Sequence, residues 1–190
     1  NIDGPTEHTL EAKFDLNAGF NGNMRIGLGG LVEYFNYNFP EAASNSYVYE
    51  FKNHAEVMLS PYYKVEGDNW KIKLGANVML ATGDDAEFMA SPNIAADVEV
   101  ADKTELYVKA DGKLYSNSMY DMSQINRYLY PMKELAPSRN WLNAILGIRS
   151  GVAPGFWFDV FAGYKITSSD VLFSQVATSK PDFFSNFSEA

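Results

Sequence analysis

The chain has 190 residues, of which 15% are aromatic, and a formal net charge of -9. It contains no cysteine, which excludes a disulfide framework, a thiolate metal site and a cysteine nucleophile. The acidic balance argues against a nucleic-acid partner, because phosphate binding needs a basic face.

In chain order, the dominant signal is an alternation of apolar and polar residues with a period of two, which a helix repeating every 3.6 residues would not hold. Leu10, Ala12, Phe14, Leu16, Ala18 and Phe20 share one face of a first strand, against Glu11, Lys13, Asp15, Asn17 and Gly19. Asn21-Gly22-Asn23 then reads as a hairpin turn, since Asn and Gly both tolerate positive φ. In a second strand, Met24, Ile26, Leu28, Gly30, Val32 and Tyr34 oppose Arg25, Gly27, Gly29, Leu31 and Glu33. A third is predicted from about Tyr47 to Val65, with a bulge or an unpaired end at Pro61, which lacks a ladder donor. Glu66 to Asn69 form a tight turn. Trp70, Ile72, Leu74, Ala76, Val78 and Leu80 follow against Lys71, Lys73, Gly75 and Asn77.

A fifth strand carries Ile94, Ala96, Val98 and Val100 and turns at residues 101–104. A sixth carries Leu106, Val108, Ala110, Gly112 and Leu114 against Tyr107, Lys109, Asp111, Lys113 and Tyr115. Leu142, Ala144, Leu146 and Ile148 mark a seventh, with its turn at Gly151 to Gly155. Phe156, Phe158, Val160, Ala162, Tyr164 and Ile166 mark an eighth, and a ninth is expected to begin at Val171. The predicted fold is therefore all-β: an antiparallel up-and-down meander of about eight or nine long strands, forming one β-barrel domain over residues 1–190 or a section of a larger barrel. The connections at 21–23, 66–69, 101–104 and 151–155 are short, and those at about 37–46, 81–88, 116–140 and 168 onward are longer. A meander puts all the short ones at one end.

Long strands, asymmetric loops and aromatic residues near strand ends are features of outer-membrane barrels. The mean hydropathy of -0.23 fits, because only alternate strand residues meet lipid. No run approaches the ~18 apolar residues of a transmembrane helix. In the competing arrangement, the apolar stripe fills a soluble ligand-binding barrel such as a lipocalin and the polar stripe meets solvent. No signal peptide is visible in the sequence, and the chain is expected to be a processed or excised segment.

The stretch from Leu106 to Phe173 resembles part of the barrel of TonB-dependent transporters, of the Bacteroidetes outer-membrane type. In that family a strand leads into a long outside loop with an Asn-Pro-x-Leu-Lys-Pro-Glu pattern. Here Asn126, Leu129 and Pro131 match and Glu134 stands two residues past the pattern's Glu, while Arg127 replaces the first proline and Tyr130 the lysine. The resemblance implies an outer-membrane location, contact with outer-membrane lipid, a small nutrient ligand and a TonB-type energising complex. The family's plug domain and terminal aromatic residue are not seen, so a fragment or a divergent smaller barrel is expected.

Little in the sequence points to catalysis, metal binding or a cofactor, and the chain is not expected to be an enzyme. His54 lies on the polar face with Glu50, Lys52 and Glu56, where a general base paired with a Ser is conceivable; a lumen-facing polar role is the expectation. Asp84, Asp85 and Glu87 gather three carboxylates in a loop without EF-hand spacing. With Tyr128 and Tyr130 they are candidate ligand contacts of the outside loops. Lys71, Lys73, Asp97, Glu99, Lys109, Asp111 and Lys113 are candidate lumen-facing charges, with cross-strand ion pairs expected among the last five. The function expected is transport, TonB-dependent-receptor-like or porin-like; the alternatives are a membrane-anchoring or partner-binding barrel, or the soluble one.

Overall fold

The structure, a computed structural model, describes residues 6–39, 51–83, 86–125, 137–153, 155–169, 171–174 and 186–189. Eight strands follow one another: β1 (Thr6–Phe20), β2 (Met24–Asn38), β3 (His54–Glu66), β4 (Trp70–Ala81), β5 (Glu87–Ala101), β6 (Thr104–Tyr115), β7 (Ser138–Ala153) and β8 (Phe156–Ser168). They form one antiparallel sheet in strict sequence order. A short helix, α1 (Met119–Ile125), follows β6. The short turns are where the sequence places them. Asn21 and Gly22 both take positive φ, at 49° and 61°, as a primed hairpin turn demands. Lys103 (φ 57°) and Gly155 (φ 82°) do the same at the third and fourth.

Register holds each strand's apolar residues on one common face. Phe20, Met24, Val65, Ile72, Ala96, Val108, Leu146 and Ala162 lie level with one another across all eight strands. A slip of one residue anywhere in that row would send a polar set to the apolar face. The apolar face is the exposed one: Leu16 is 64% accessible, Ile26 58%, Leu74 52% and Leu146 62%. The polar face is the more buried, although among the described residues no second sheet is stacked on it. Its side chains instead reach over neighbouring strands, as Tyr62 of β3 does to Asp15 of β1 and Asn77 of β4 to Gly112 of β6. The sheet is thus curled, with its polar face concave and its apolar face convex.

The sheet is not closed into a barrel. β1 and β8 are its two edges, and almost all of their residues are exposed on both faces. The expected ninth strand does not extend it either: β9 (Val171–Ser174) pairs with β10 (Asn186–Glu189) in a separate two-stranded sheet.

Other boundaries differ from the sequence pattern for local reasons. β3 begins at His54 rather than near Tyr47; residues 51–53 are outside any strand, and 47–50 lie outside the described residues. Pro61 stays in register with Leu28 but makes no ladder pair with β4, so its missing donor costs ladder pairing without a register shift. β7 continues through Gly151 to Ala153 by a register irregularity, which shortens the last turn. In β6 an irregularity between Asp111 and Lys113 breaks the alternation. Leu114, expected on the apolar stripe, is turned inward and 3% exposed, while Tyr115 faces out at 46%. A bulge of this kind reverses the side-chain sense beyond it.

Candidate functional site

The concave face offers the only enclosed chemistry among the described residues, and it changes character along its height. At mid-height it is a buried polar network. Ser60 Oγ donates to Asn77 Oδ1 at 2.7 Å, Asn93 Nδ2 donates to the same oxygen at 2.9 Å, and Asn77 Nδ2 donates to the Gly112 carbonyl at 3.0 Å. Ser91 Oγ shares that carbonyl at 2.9 Å. Four strands are thereby tied together by groups that would each be costly to bury unpaired. Gly112 permits the close approach: a Cβ there would lie 2.5 Å from the Asn140 carbonyl oxygen and 2.6 Å from Ser91 Cβ.

Toward the short turns one device occurs at both margins of the sheet. Tyr62 of β3 lies over Gly27 of β2 and donates to Asp15 of β1 at 2.8 Å. Tyr107 of β6 lies over Gly147 of β7 and donates to Asp159 of β8 at 2.7 Å. Each ring covers a glycine on the intervening strand, as in aromatic rescue. A cation sits by each ring: Lys73 lies 4.8 Å from the Tyr62 centroid and Arg149 5.2 Å from that of Tyr107. Alternation alone does not reveal this device; it becomes visible only when the register puts Asp15, Gly27 and Tyr62 side by side. Below it, at the turn end, a cavity of about 450 Å³ opens between charged side chains that include Lys71, Asp97, Glu99, Glu105 and Arg149, with Trp157 at its margin.

Toward the long loops the concave face turns apolar. Met79, Ala81, Met89 and Leu114 are buried together, with Met58 against them. Above them Phe35, Tyr37 and Phe51 form a second cluster, packed by Phe39 and by Met119 of α1. His54 belongs to this layer. Its ring stacks on Phe35 at 4.7 Å, Nδ1 is 3.0 Å from the Lys52 carbonyl and Nε2 3.3 Å from Ser116 Oγ. The carbonyl only accepts, so Nδ1 carries the proton and Nε2 accepts from Ser116. These contacts give the histidine a packing and hydrogen-bonding role within the aromatic layer.

Between the methionine cluster and the aromatic cluster above it runs a row of carboxylates. Glu11, Glu33, Glu56 and Glu87 are level on β1, β2, β3 and β5, with Ala81 between the last two. Like charges directly opposite are unfavourable unless cations intervene. Lys13 pairs with Glu11 at 2.9 Å, and Arg139 forks onto Glu87. Glu56 is 6% exposed, and its Oε1 has no hydrogen-bond partner among the described residues.

Of the predicted ligand contacts, Glu87 is engaged by Arg139; Asp84, Asp85, Tyr128 and Tyr130 lie outside the described residues. Of the predicted lumen charges, Lys71 stands opposite Asp97, and Asn143 donates to Asp111 at 3.1 Å. Lys109 and Lys113 lie 5.8 and 5.4 Å from the centroids of the Tyr107 and Tyr115 rings. The ion pairs formed by the described residues fall instead on Glu11–Lys13, Lys64–Glu66, Glu87–Arg139 and Arg149 with Glu105 and Asp159. No group of three or more metal-ligating side chains is placed to hold a metal among the described residues. No family model and no curated protein matches the chain.

Proposed function

We propose that the eight-stranded sheet is wall of an integral outer-membrane β-barrel, its convex face against lipid. The observation that carries this reading is the direction of curl. A soluble barrel would wrap around its apolar stripe; here the curl encloses the polar stripe and leaves the apolar one outside. The outer face is on the order of 1,000 Å² from strand spacing and rise, beyond the ~300–600 Å² of a typical monomer's largest apolar patch. The dimensions agree. The 12 residues of β4, at ~3.3 Å each and tilted by about 40°, rise about 30 Å, the thickness of the hydrocarbon core. Phe20, Trp70 and Phe156 at the turn end, and Tyr34 and Tyr164 toward the loops, are exposed on this face, as rings at the two headgroup levels would be.

Within that reading, the packed loop end favours an anchoring or partner-binding barrel over an open pore. Met79, Met89, Leu114, Phe35 and Tyr37 fill the space through which a solute would pass. The nutrient-transport role implied by the resemblance would need a path around them. Extraction and gel mobility with and without boiling test the membrane reading: a detergent requirement and heat-shifted mobility support it, and a detergent-free monodisperse monomer sinks it. Vesicle swelling in small sugars tests the second point, with no swelling expected.

A further inference from the structure

We infer that in the bilayer the two free edges of this sheet pair with each other, β8 against β1 of the same chain, in one particular register. The inference rests on the membrane reading. Hydrocarbon leaves no partner for the unpaired N–H and C=O groups of an edge strand, so edges of 15 and 13 residues must be covered there.

The curl already brings the edges toward one another. Leu31 and Glu33 of β2 share one small cavity with Lys113 and Leu114 of β6, although a flat sheet would hold those strands about 19 Å apart. Past the end of β6, the backbone N–H of Tyr120 donates to Glu7 of β1 at 3.0 Å, which spans the mouth at the loop end. The polarity also suits closure, since the first and last of eight alternating strands run antiparallel.

Register follows from three conditions. First, Phe20 is level with Ala162, six residues into β8 (Phe156–Ser168). The edges therefore overlap only if β8 meets β1 displaced toward the start of β1. Second, the displacement must be even to keep apolar residues with apolar ones. Third, closing a barrel of eight strands fixes the tilt. Displacements of about six, eight and ten residues give about 27°, 35° and 41°, and barrels tilt by 35–45°.

Charge separates the remaining two. A shift of about eight would set Asp159 directly against Asp15. A shift of about ten sets Ala162 opposite Leu10, Asp159 opposite Lys13 and Lys165 opposite Glu7, two opposite-charge pairs of the kind that stabilise a register. On the outer face the same shift aligns Phe156 with Leu16 and Phe158 with Phe14.

The absence of cysteine makes the test clean. Lys13→Cys/Asp159→Cys and Glu7→Cys/Lys165→Cys are made in the full chain, refolded into phosphatidylcholine vesicles and oxidised with copper phenanthroline. Expected is a reducible crosslink within the monomer, formed at least about tenfold faster than in the offset pairs Lys13→Cys/Phe161→Cys and Lys13→Cys/Gly163→Cys, because directly opposite Cβ atoms approach disulfide distance. A crosslinked dimer would mean that a second copy covers the edge, and it overturns the inference. Equal or faster crosslinking of the offset pairs, or none at all, overturns it too. Protease protection and heat-shifted mobility are read on the same samples. Protein that inserts but does not crosslink refutes closure alone, whereas protein that never inserts refutes the membrane reading and closure with it.

Discussion

Replacing Leu74 or Leu146 with Arg separates a lipid-facing surface from a wet one. Both lie mid-strand on the convex face, 52% and 62% exposed. In water such positions carry little packing, and a substitution there falls within about 0.5 kcal/mol. At the bilayer midplane the same arginine costs about 2–4 kcal/mol, falling to about 0–1 near the interfaces. Leu74→Arg and Leu146→Arg are therefore expected to reduce the folding equilibrium constant about 30- to 700-fold. Phe20→Arg and Phe156→Arg, at the turn end of the same face, should reduce it less than about sixfold. Urea unfolding in vesicles measures this through tryptophan fluorescence, with Trp70 and Trp141 facing outward. A flat profile, with mid-strand and strand-end arginines equally tolerated, would refute lipid contact however strongly the protein associates with membranes.

Two further predictions concern the concave face. Alanine at three glycines should rank by what the new Cβ meets. Gly112→Ala runs into backbone oxygen and Ser91 Cβ and should cost about 1–3 kcal/mol or more. Gly27→Ala meets only the tip of the Tyr62 ring, which can swing aside at the loss of its bond to Asp15, so it should cost less. Gly19→Ala, with nothing within 4 Å, should be near neutral; unfolding midpoints that fail to follow this order would contradict the packing described. Asn77→Ala removes an acceptor for Ser60 and Asn93 and a donor to Gly112, for an expected loss of about 1–3 kcal/mol. A loss below about 0.5 kcal/mol in the same unfolding assay would show that the network contributes nothing to stability.

The strands, their order along the chain and, outside the bulge in β6, the residues that share a face were legible in the sequence. Alternation is a local property: once Leu10, Ala12 and Phe14 fall on one side of a pleat, every residue of that strand is assigned. Turn chemistry is equally local, which is why Asn21-Gly22 could be placed from residue type alone. Tertiary structure decided what alternation cannot express. Leu114 was misplaced because a bulge interrupts the period. The Tyr62–Gly27–Asp15 device and the carboxylate row ending at Glu87 exist only through register, which sets residues from separate strands side by side. The sense of curl was open as well, since one stripe pattern serves a soluble barrel and a membrane barrel alike. It was settled by long-range contacts of single residues: Tyr62 reaching Asp15, Asn77 reaching Gly112 and the Met79 sulfur accepting from the Leu114 N–H. Those contacts bend the sheet toward its polar face, and the apolar face is left outside.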